Sequence, residues 1–350
     1  MVGRLPQRGA ELQRAVHQPE RPSHSYDFRL RVLIKGLLVF ASLLSAIACS
    51  REEKPSPTRE GPPQQEVVLK GAPILVGAGD IAVCGTPGDE ATAALVDSLL
   101  LAESALGVPT IVATFGDNAY PSGQQGLTND FPRCFSPTWG RRSIMKVLHT
   151  SPGNHDYDSG SGDPYFAYFG DRAGPPGKGY YSYDLGGWHI ISLNSELYFE
   201  NPDPDLAKAQ EDWLRKDLQQ HRTTCALAYF HRPLFSSGTN GGTTMVQNLW
   251  EILYAEGVDL VLNGHDHDYE RFLPQRPDGT PDSVKGIEQI ITGTGGGELR
   301  RFRYPLARNS VAQIQGRFGV LKVMLGDGQY RHSFIDTDGR VWDEGGGRCH

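Results

Sequence analysis

Five short segments, spread over almost two hundred residues, each stand where a run of strand-forming residues stops. They are Gly77-Ala78-Gly79-Asp80, Gly116-Asp117-Asn118-Ala119-Tyr120, Gly153-Asn154-His155-Asp156, the stretch around His231 in AYFHRP, and Gly264-His265-Asp266-His267. The apolar stretches leading into them are PILVGA at Pro73–Ala78, TIVATF at Thr110–Phe115, KVLHT at Lys146–Thr150, ALAYF at Ala226–Phe230 and DLVL at Asp259–Leu262. Such runs read as strands buried on both faces. Asp89–Leu106 has apolar residues at helical spacing (Ala94, Leu95, Leu99, Leu106), with Asp89 as N-cap. The start is a β-α-β rhythm, and polar residues at the carboxyl ends of its strands lie where open α/β sheets bind ligands.

The middle of the chain alternates differently. Tyr180–Asp184 and Trp188–Asn194 read as a hairpin joined at Gly186-Gly187, followed by helices at Ala207–Gln220 and Val246–Glu256. Strands at Gly286–Thr292 and Phe318–Leu325 and a hairpin arm at Tyr330–Asp336 are expected to complete a second sheet. The expected fold is α/β: a four-layer α-β-β-α sandwich of two packed mixed sheets with helices outside.

The side chains in the five segments carry the chemistry. Asp80, Asp117, Tyr120, Asn154, His231, His265 and His267 are hard and borderline donors, suited to two small ions held close together. The small glycines before Asp80 and Asp117 let the backbone bend, so that a carboxylate points across the sheet edge. Asp117 is the candidate bridge between ions. Histidines at i and i+2 on an extended loop, His265 and His267, reach two different ions. Taken singly, each Gly-Asp pair is commonly a turn, and His231 before Arg232-Pro233 is an ordinary loop histidine. All five in this order are hard to obtain by chance.

The order GD…GDxxY…GNHD…H…GHxH resembles the calcineurin-like metallophosphoesterases and, within them, the purple acid phosphatases, over about Ile74–Leu325. Many members carry Asp-x-His in the first segment. Ala82 stands at that His position here and cannot ligate, while Tyr120 stands where the purple acid phosphatases place a Tyr. The first segment reads GDIA where that subgroup usually has GDxG. The resemblance implies two metal ions: Fe(III) held by Asp80, Tyr120, His267 and bridging Asp117, and Fe(II), Zn or Mn held by Asn154, His231, His265 and Asp117. It implies hydrolysis of a small phosphoester by a metal-held hydroxide, with Asp117 and His155 as catalytic residues and His155 facing the phosphoryl group. A phosphomonoesterase is expected. The alternatives are a phosphodiesterase on nucleotides or phospholipid head groups, and a non-catalytic surface-binding lipoprotein on the same scaffold.

Other features bound the setting. The net charge of −7 over 350 residues offers no electrostatic case for nucleic acid. Arg29, Arg31 and Lys35 precede the apolar run Gly36–Ala48, which has the length of a signal-peptide core. Ala46-Ile47-Ala48-Cys49 resembles a bacterial lipobox, which makes Cys49 a lipidated first residue and the only membrane attachment. An ordinary signal cleaved nearby, or a short anchor, is the alternative. Residues 1–48 therefore read as an extension and signal, with translation beginning near Val32 or Leu33. Residues 49–66 read as a Pro-rich disordered tether, and residues 67–350 as the folded domain. The expected location is the cell envelope, facing periplasm or outer membrane, or the exterior by secretion. With Cys49 set aside, four cysteines allow three pairings. Loop positions favour Cys84–Cys134 and leave Cys225–Cys349, with Cys225 as a buried strand thiol the plainer reading. Thr292–Gly297 (TGTGGG) lacks a P-loop's Lys and reads as a close-backbone turn beside the site. His149, His189, His221, His332 and His350 carry no ligand spacing, and His189, in an apolar strand, reads as structural.

Overall fold

The computed structural model describes residues 69–120, 131–158, 161–199, 203–222 and 225–350. The signal, Cys49 and tether expectations lie outside these.

Among the described residues thirteen strands form two sheets. The strands are β1 (Ile74–Ala78), β2 (Thr110–Phe115), β3 (Leu148–Ser151), β4 (Tyr181–Leu185), β5 (Trp188–Ser192), β6 (Cys225–Tyr229), β7 (Leu260–Asn263), β8 (Tyr269–Gln275), β9 (Ile287–Thr292), β10 (Ser310–Ile314), β11 (Gly319–Gly326), β12 (Gln329–Asp336) and β13 (Val341–Arg348). The first sheet runs β13-β12-β11-β1-β2-β3 and the second β10-β8-β9-β7-β6-β5-β4. The helices are α1 (Gly88–Ala105), α2 (Arg142–Met145), α3 (Asp163–Phe169), α4 (Pro204–Gln220) and α5 (Gln247–Ala255). Among the described residues no helix is long and apolar enough to cross a membrane.

Strand residues alternate between two cores. On β1, Ile74, Val76 and Ala78 face an outer core shared with Ala93 and Val96 of α1, while Leu75 faces inward. On the second sheet Ile191, Ala228 and Val261 pack outward against Leu214, Leu218, Leu249 and Leu253 of α4 and α5. Ile190, Leu227, Leu262 and Ile290 face inward and meet Phe115, Leu321 and Val323 of the first sheet. This period of two explains why the strands read as unbroken apolar runs. The result is the four-layer sandwich. The buried Trp188 indole also crosses between the sheets, donating to the Gly326 carbonyl at 2.8 Å.

Three expectations need correction. β11 and β12 belong to the first sheet, not the second: β11 lies antiparallel to β1, with Ile74 opposite Met324. That pairing joins chain segments hundreds of residues apart and leaves no local trace. Asp89 is not the N-cap of α1; Pro87 is, and Asp89 lies in the first turn. Leu106 falls past the helix end at 75% exposure and Ala94 is exposed as well; the buried face of α1 runs instead through Thr92, Ala93 and Val96. Both expected disulfides are present, Cys84–Cys134 and Cys225–Cys349.

Candidate metal centre

The parallel strands β1, β2 and β3 of the first sheet lead into Asp80, Asp117 and Asn154, two or three residues past their ends; β6 and β7 of the second lead in the same way into His231 and His265. The turn at each end is sharp. Asp80, Asp117 and His265 take φ of 61°, 51° and 73°, a left-handed backbone that side chains rarely adopt. Strain of this kind gathers at functional sites. The glycines beside them are not enough; the ligand candidates themselves turn.

In Asp80 and Asp117 one carboxylate oxygen is held by a backbone amide and the other faces the remaining donors. Asp80 Oδ2 accepts the His265 amide at 2.8 Å, while Oδ1 lies 3.0 Å from the Tyr120 hydroxyl and 3.2 Å from His267 Nε2. Asp117 Oδ1 accepts the His155 amide at 2.8 Å, while Oδ2 lies 3.3 Å from His231 Nε2. Asn154 Oδ1 and His265 Nδ1 each lie 3.1 Å from that same Nε2. Tyr120 and His267 approach within 3.1 Å. All seven sequence-selected donors are therefore brought together, in two groups joined through Asp80, Asp117 and His231, whose ligand atoms lie within 4.8 Å of one another.

The donor set fits cations. His231 Nδ1 donates to the Phe115 carbonyl at 2.9 Å and His267 Nδ1 to the Glu298 carbonyl at 2.6 Å. Those bonds fix the tautomer and aim each Nε2 lone pair inward, as metal-bound histidines are usually oriented. The lone pairs then face carboxylate and amide oxygens, an arrangement of acceptors that calls for positive charge between them. The charges around each ring show the same demand. Burial alone would strip His231 of a proton, yet the Asp117 carboxylate outweighs burial and holds its pKa up at about 10. Burial, with the charges of His231 and Arg232, pushes His265 down to about 3, which leaves its lone pair available. Burial and then Asp80 and Asp117 push Tyr120 up, so the phenol ionises only for a strong cation.

His155 stands at the mouth, its side chain 34% exposed. Its ring lies 4.5 Å from that of Tyr120, and Nε2 is 4.0 Å from Asp117 Oδ2. The Gly-rich turn after β9 closes the other side. A Cβ at Gly293 would sit 2.7 Å from Asp80 Oδ2 and collide with the Asp266 carbonyl, so only glycine fits.

Sequence reasoning passed over several neighbours. Asp158 Oδ2 lies 3.0 Å from His155 Nδ1 and fixes that ring; its i+3 position was the available signal. Arg232, directly after His231, pairs with Glu196 at 2.9 Å and lies over the Phe199 ring. Its guanidinium reaches 3.4 Å from His265 Nε2. Arg300 bonds Asn240 Oδ1 at 2.9 Å, and Asn240 in turn holds the His265 carbonyl at 2.6 Å. Asp156 holds Asn118 and the Gly153 amide, which shapes the Asn154 turn.

Comparison with known proteins points to one family. The family model for calcineurin-like phosphoesterases matches residues 75–269. Acid phosphatase type 7 of Homo sapiens is 28% identical over 273 residues, covering 68% of this chain and 60% of that protein. Purple acid phosphatase 18 of Arabidopsis thaliana is 30% identical over 216 residues, covering 56% of this chain and 46% of that one. This chain thus spans between about half and three-fifths of the curated relatives' length. The solved purple acid phosphatase PPD1 from yellow lupin (Lupinus luteus) seeds shares the fold, with a TM-score of 0.65 at 20% identity, covering 79% of this chain and 53% of that one.

Proposed function

This chain belongs to the calcineurin-like phosphoesterase family, and from that premise we propose that it is an exported, two-metal phosphoester hydrolase of purple acid phosphatase type, acting on phosphomonoesters. The observation that carries the reading is the meeting of seven donors, Asp117 among them, with the non-ligand His155 held beside them by Asp158. A purely structural site has no use for an oriented, accessible His155.

Asp80, Tyr120, His267 and Asp117 would hold one ion, and Asn154, His231, His265 and Asp117 the other. Phenolate and two carboxylates suit Fe(III) on the Tyr120 side; an amide oxygen and two imidazoles suit Fe(II), Zn or Mn on the other. When bound, such a pair of ions supplies an activated water and a clamp on the phosphoryl oxygens.

The remaining work belongs to the protein. Asp117 Oδ1 is fixed by the His155 amide, so only Oδ2 is free to reach between both donor sets. His155 faces outward over that point with its Nδ1 anchored on Asp158, which leaves Nε2 to hold or pass a proton at the leaving oxygen. The Arg232–Glu196 pair and the Arg300–Asn240 bond brace the loop bearing His265 from two sides.

Export rests on the signal-like run before Cys49, and lipidation of Cys49 would supply the membrane attachment. Two disulfides support an oxidising compartment.

The test is hydrolysis of p-nitrophenyl phosphate against its bis ester, from acidic to alkaline pH, with metal analysis and a visible spectrum. Faster monoester turnover with two ions per chain supports the reading. Faster diester turnover moves the substrate to nucleotides or phospholipid head groups. No turnover with any ion leaves a binding protein on this scaffold.

A further inference from the structure

At the opposite end of the second sheet from the metal centre, a second group of ligand-type side chains comes together. β5 runs parallel to β6, with His189 beside Ala226, near the starts of both strands. The candidate catalytic donors follow the other ends. His189 is buried, its side chain 2% exposed. Asp217 and His221 stand one helical turn apart at the end of α4, the i, i+4 spacing that puts two ligands on one helix face. Asp184, opposite His189 across the β4–β5 hairpin, completes the group.

The distances are those of a small coordination site. His189 Nε2 lies 2.8 Å from Asp217 Oδ2, and His221 Nδ1 lies 3.3 Å from Asp217 Oδ1. Ligand atoms at tetrahedral zinc distances stand about 3.3 Å apart, so the His189–Asp217 pair needs to open by only a few tenths of an ångström. Ligand atoms of His189, Asp217 and His221 all fall within 4.8 Å of one another. On the far side His189 Nδ1 lies 2.8 Å from Asp184 Oδ1. A carboxylate behind a ligating imidazole is the arrangement that orients histidine toward zinc. Ser182 donates to Asp217 Oδ1 at 3.0 Å and fixes the carboxylate from below.

We propose that His189, Asp217 and His221 form a separate zinc site, with Asp184 orienting His189 and water in the fourth position. It is independent of the hydrolase reading. Two imidazoles and one carboxylate match zinc better than magnesium or calcium. Without metal, His189 bridges two carboxylates and so carries a proton on each ring nitrogen. Zinc takes the Nε2 position, that proton leaves, and Nδ1–H stays on Asp184. The His221 ring now stacks on His189, centroids 4.6 Å apart and planes 11° from parallel, so it must turn out of the stack to ligate. The turn breaks the 3.0 Å contact of His221 Nδ1 with the Asp217 carbonyl, but His221 caps α4 outside helical geometry and its side chain is 44% exposed, so water can take that bond over. The bound ion then ties the β4–β5 hairpin at the sheet edge to the end of α4.

The full chain and its His221→Ala variant should be dialysed to equilibrium against micromolar zinc and analysed for bound metal. The candidate catalytic centre can take zinc in both proteins, so the difference is the readout. The wild type should hold one zinc more per chain, and zinc should raise its melting temperature more than the variant's. Equal zinc content in the two proteins would overturn the site and leave an ion-pair network. Zinc-edge anomalous diffraction from wild-type crystals grown with zinc decides independently of the variant: a peak among His189, Asp217 and His221 supports the site, and peaks confined to the Asp117 region overturn it.

Discussion

The two sheets contribute different atoms to the candidate centre. Asp80, Asp117, Tyr120 and Asn154 all follow β1, β2 and β3 of the first sheet, and every one offers oxygen. His231, His265 and His267 follow β6 and β7 of the second sheet, and every one offers nitrogen. Neither sheet alone holds a complete set for either proposed ion. The centre exists only because the inner faces pack and bring two carboxyl-end edges level. The oxygen side is anionic and turns through the left-handed Asp80 and Asp117; on the nitrogen side the His231 and His267 rings are oriented by backbone carbonyls. That division invites tests that strike one side at a time.

The largest effect should come from Asp117, the one donor assigned to both ions. Asp117→Asn should lower kcat/KM by roughly 10³-fold or more and deplete both metals, measured by turnover and elemental analysis. A single loss on the nitrogen side, His265→Ala, should deplete only the second ion and leave any colour from the Tyr120 site. Tyr120→Phe should do the reverse, abolishing a visible band while sparing the second ion. His155→Asn lies outside both donor sets. It should retain both ions and lose roughly 10²-fold in kcat, which separates proton handling from metal binding.

Next comes the bond between the sheets. Cys225 begins β6 and Cys349 follows β13, so this disulfide crosses from the nitrogen sheet to the oxygen sheet. Replacing both with Ser should reduce unfolding free energy by about 2–5 kcal/mol in denaturant titrations and leave kcat nearly unchanged at low temperature. If kcat collapses instead, packing alone does not align the edges.

The smallest effect concerns His149 of β3, whose ring stacks at 3.9 Å on Tyr183 of β4 and so joins the far edges of the two sheets. Burial, then Arg172, pushes its pKa from 6.5 down to about 4. The unfolded chain therefore binds this proton more readily than the folded one. The contribution is fully present above about pH 6.5 and is lost as pH falls through 4. His149→Gln should lose less stability than wild type over that window, by at most about 3 kcal/mol in pH-resolved melting.

Much of this was legible in the chain because each donor loop is local. A strand, a turn and a ligand occupy about six to eleven consecutive residues, and the apolar run announces where the ligand must sit. The helices α4 and α5 were legible through Leu214, Leu218, Leu249 and Leu253 at helical spacing. What escaped depends on distance along the chain. β11 pairs with β1 across the whole domain, so its sheet could not be read locally. β8, β10 and β13 are edge or polar strands with weak alternation, and Gly345-Gly346-Gly347 in β13 has no strand propensity at all. Those glycines are chosen by close approach, since a Cβ at Gly345 would meet the His332 ring at 2.6 Å. His189 and Asp217 are likewise joined only by folding, through the packing of α4 on the second sheet.

Anomalous diffraction at the edges of iron and zinc, on crystals of the metal-loaded protein, tests the central claim most directly. The account requires two peaks about 3.5–4 Å apart astride Asp117, one against Tyr120 and His267 and the other against Asn154, His231 and His265. A single peak, or two that do not share Asp117, would contradict it.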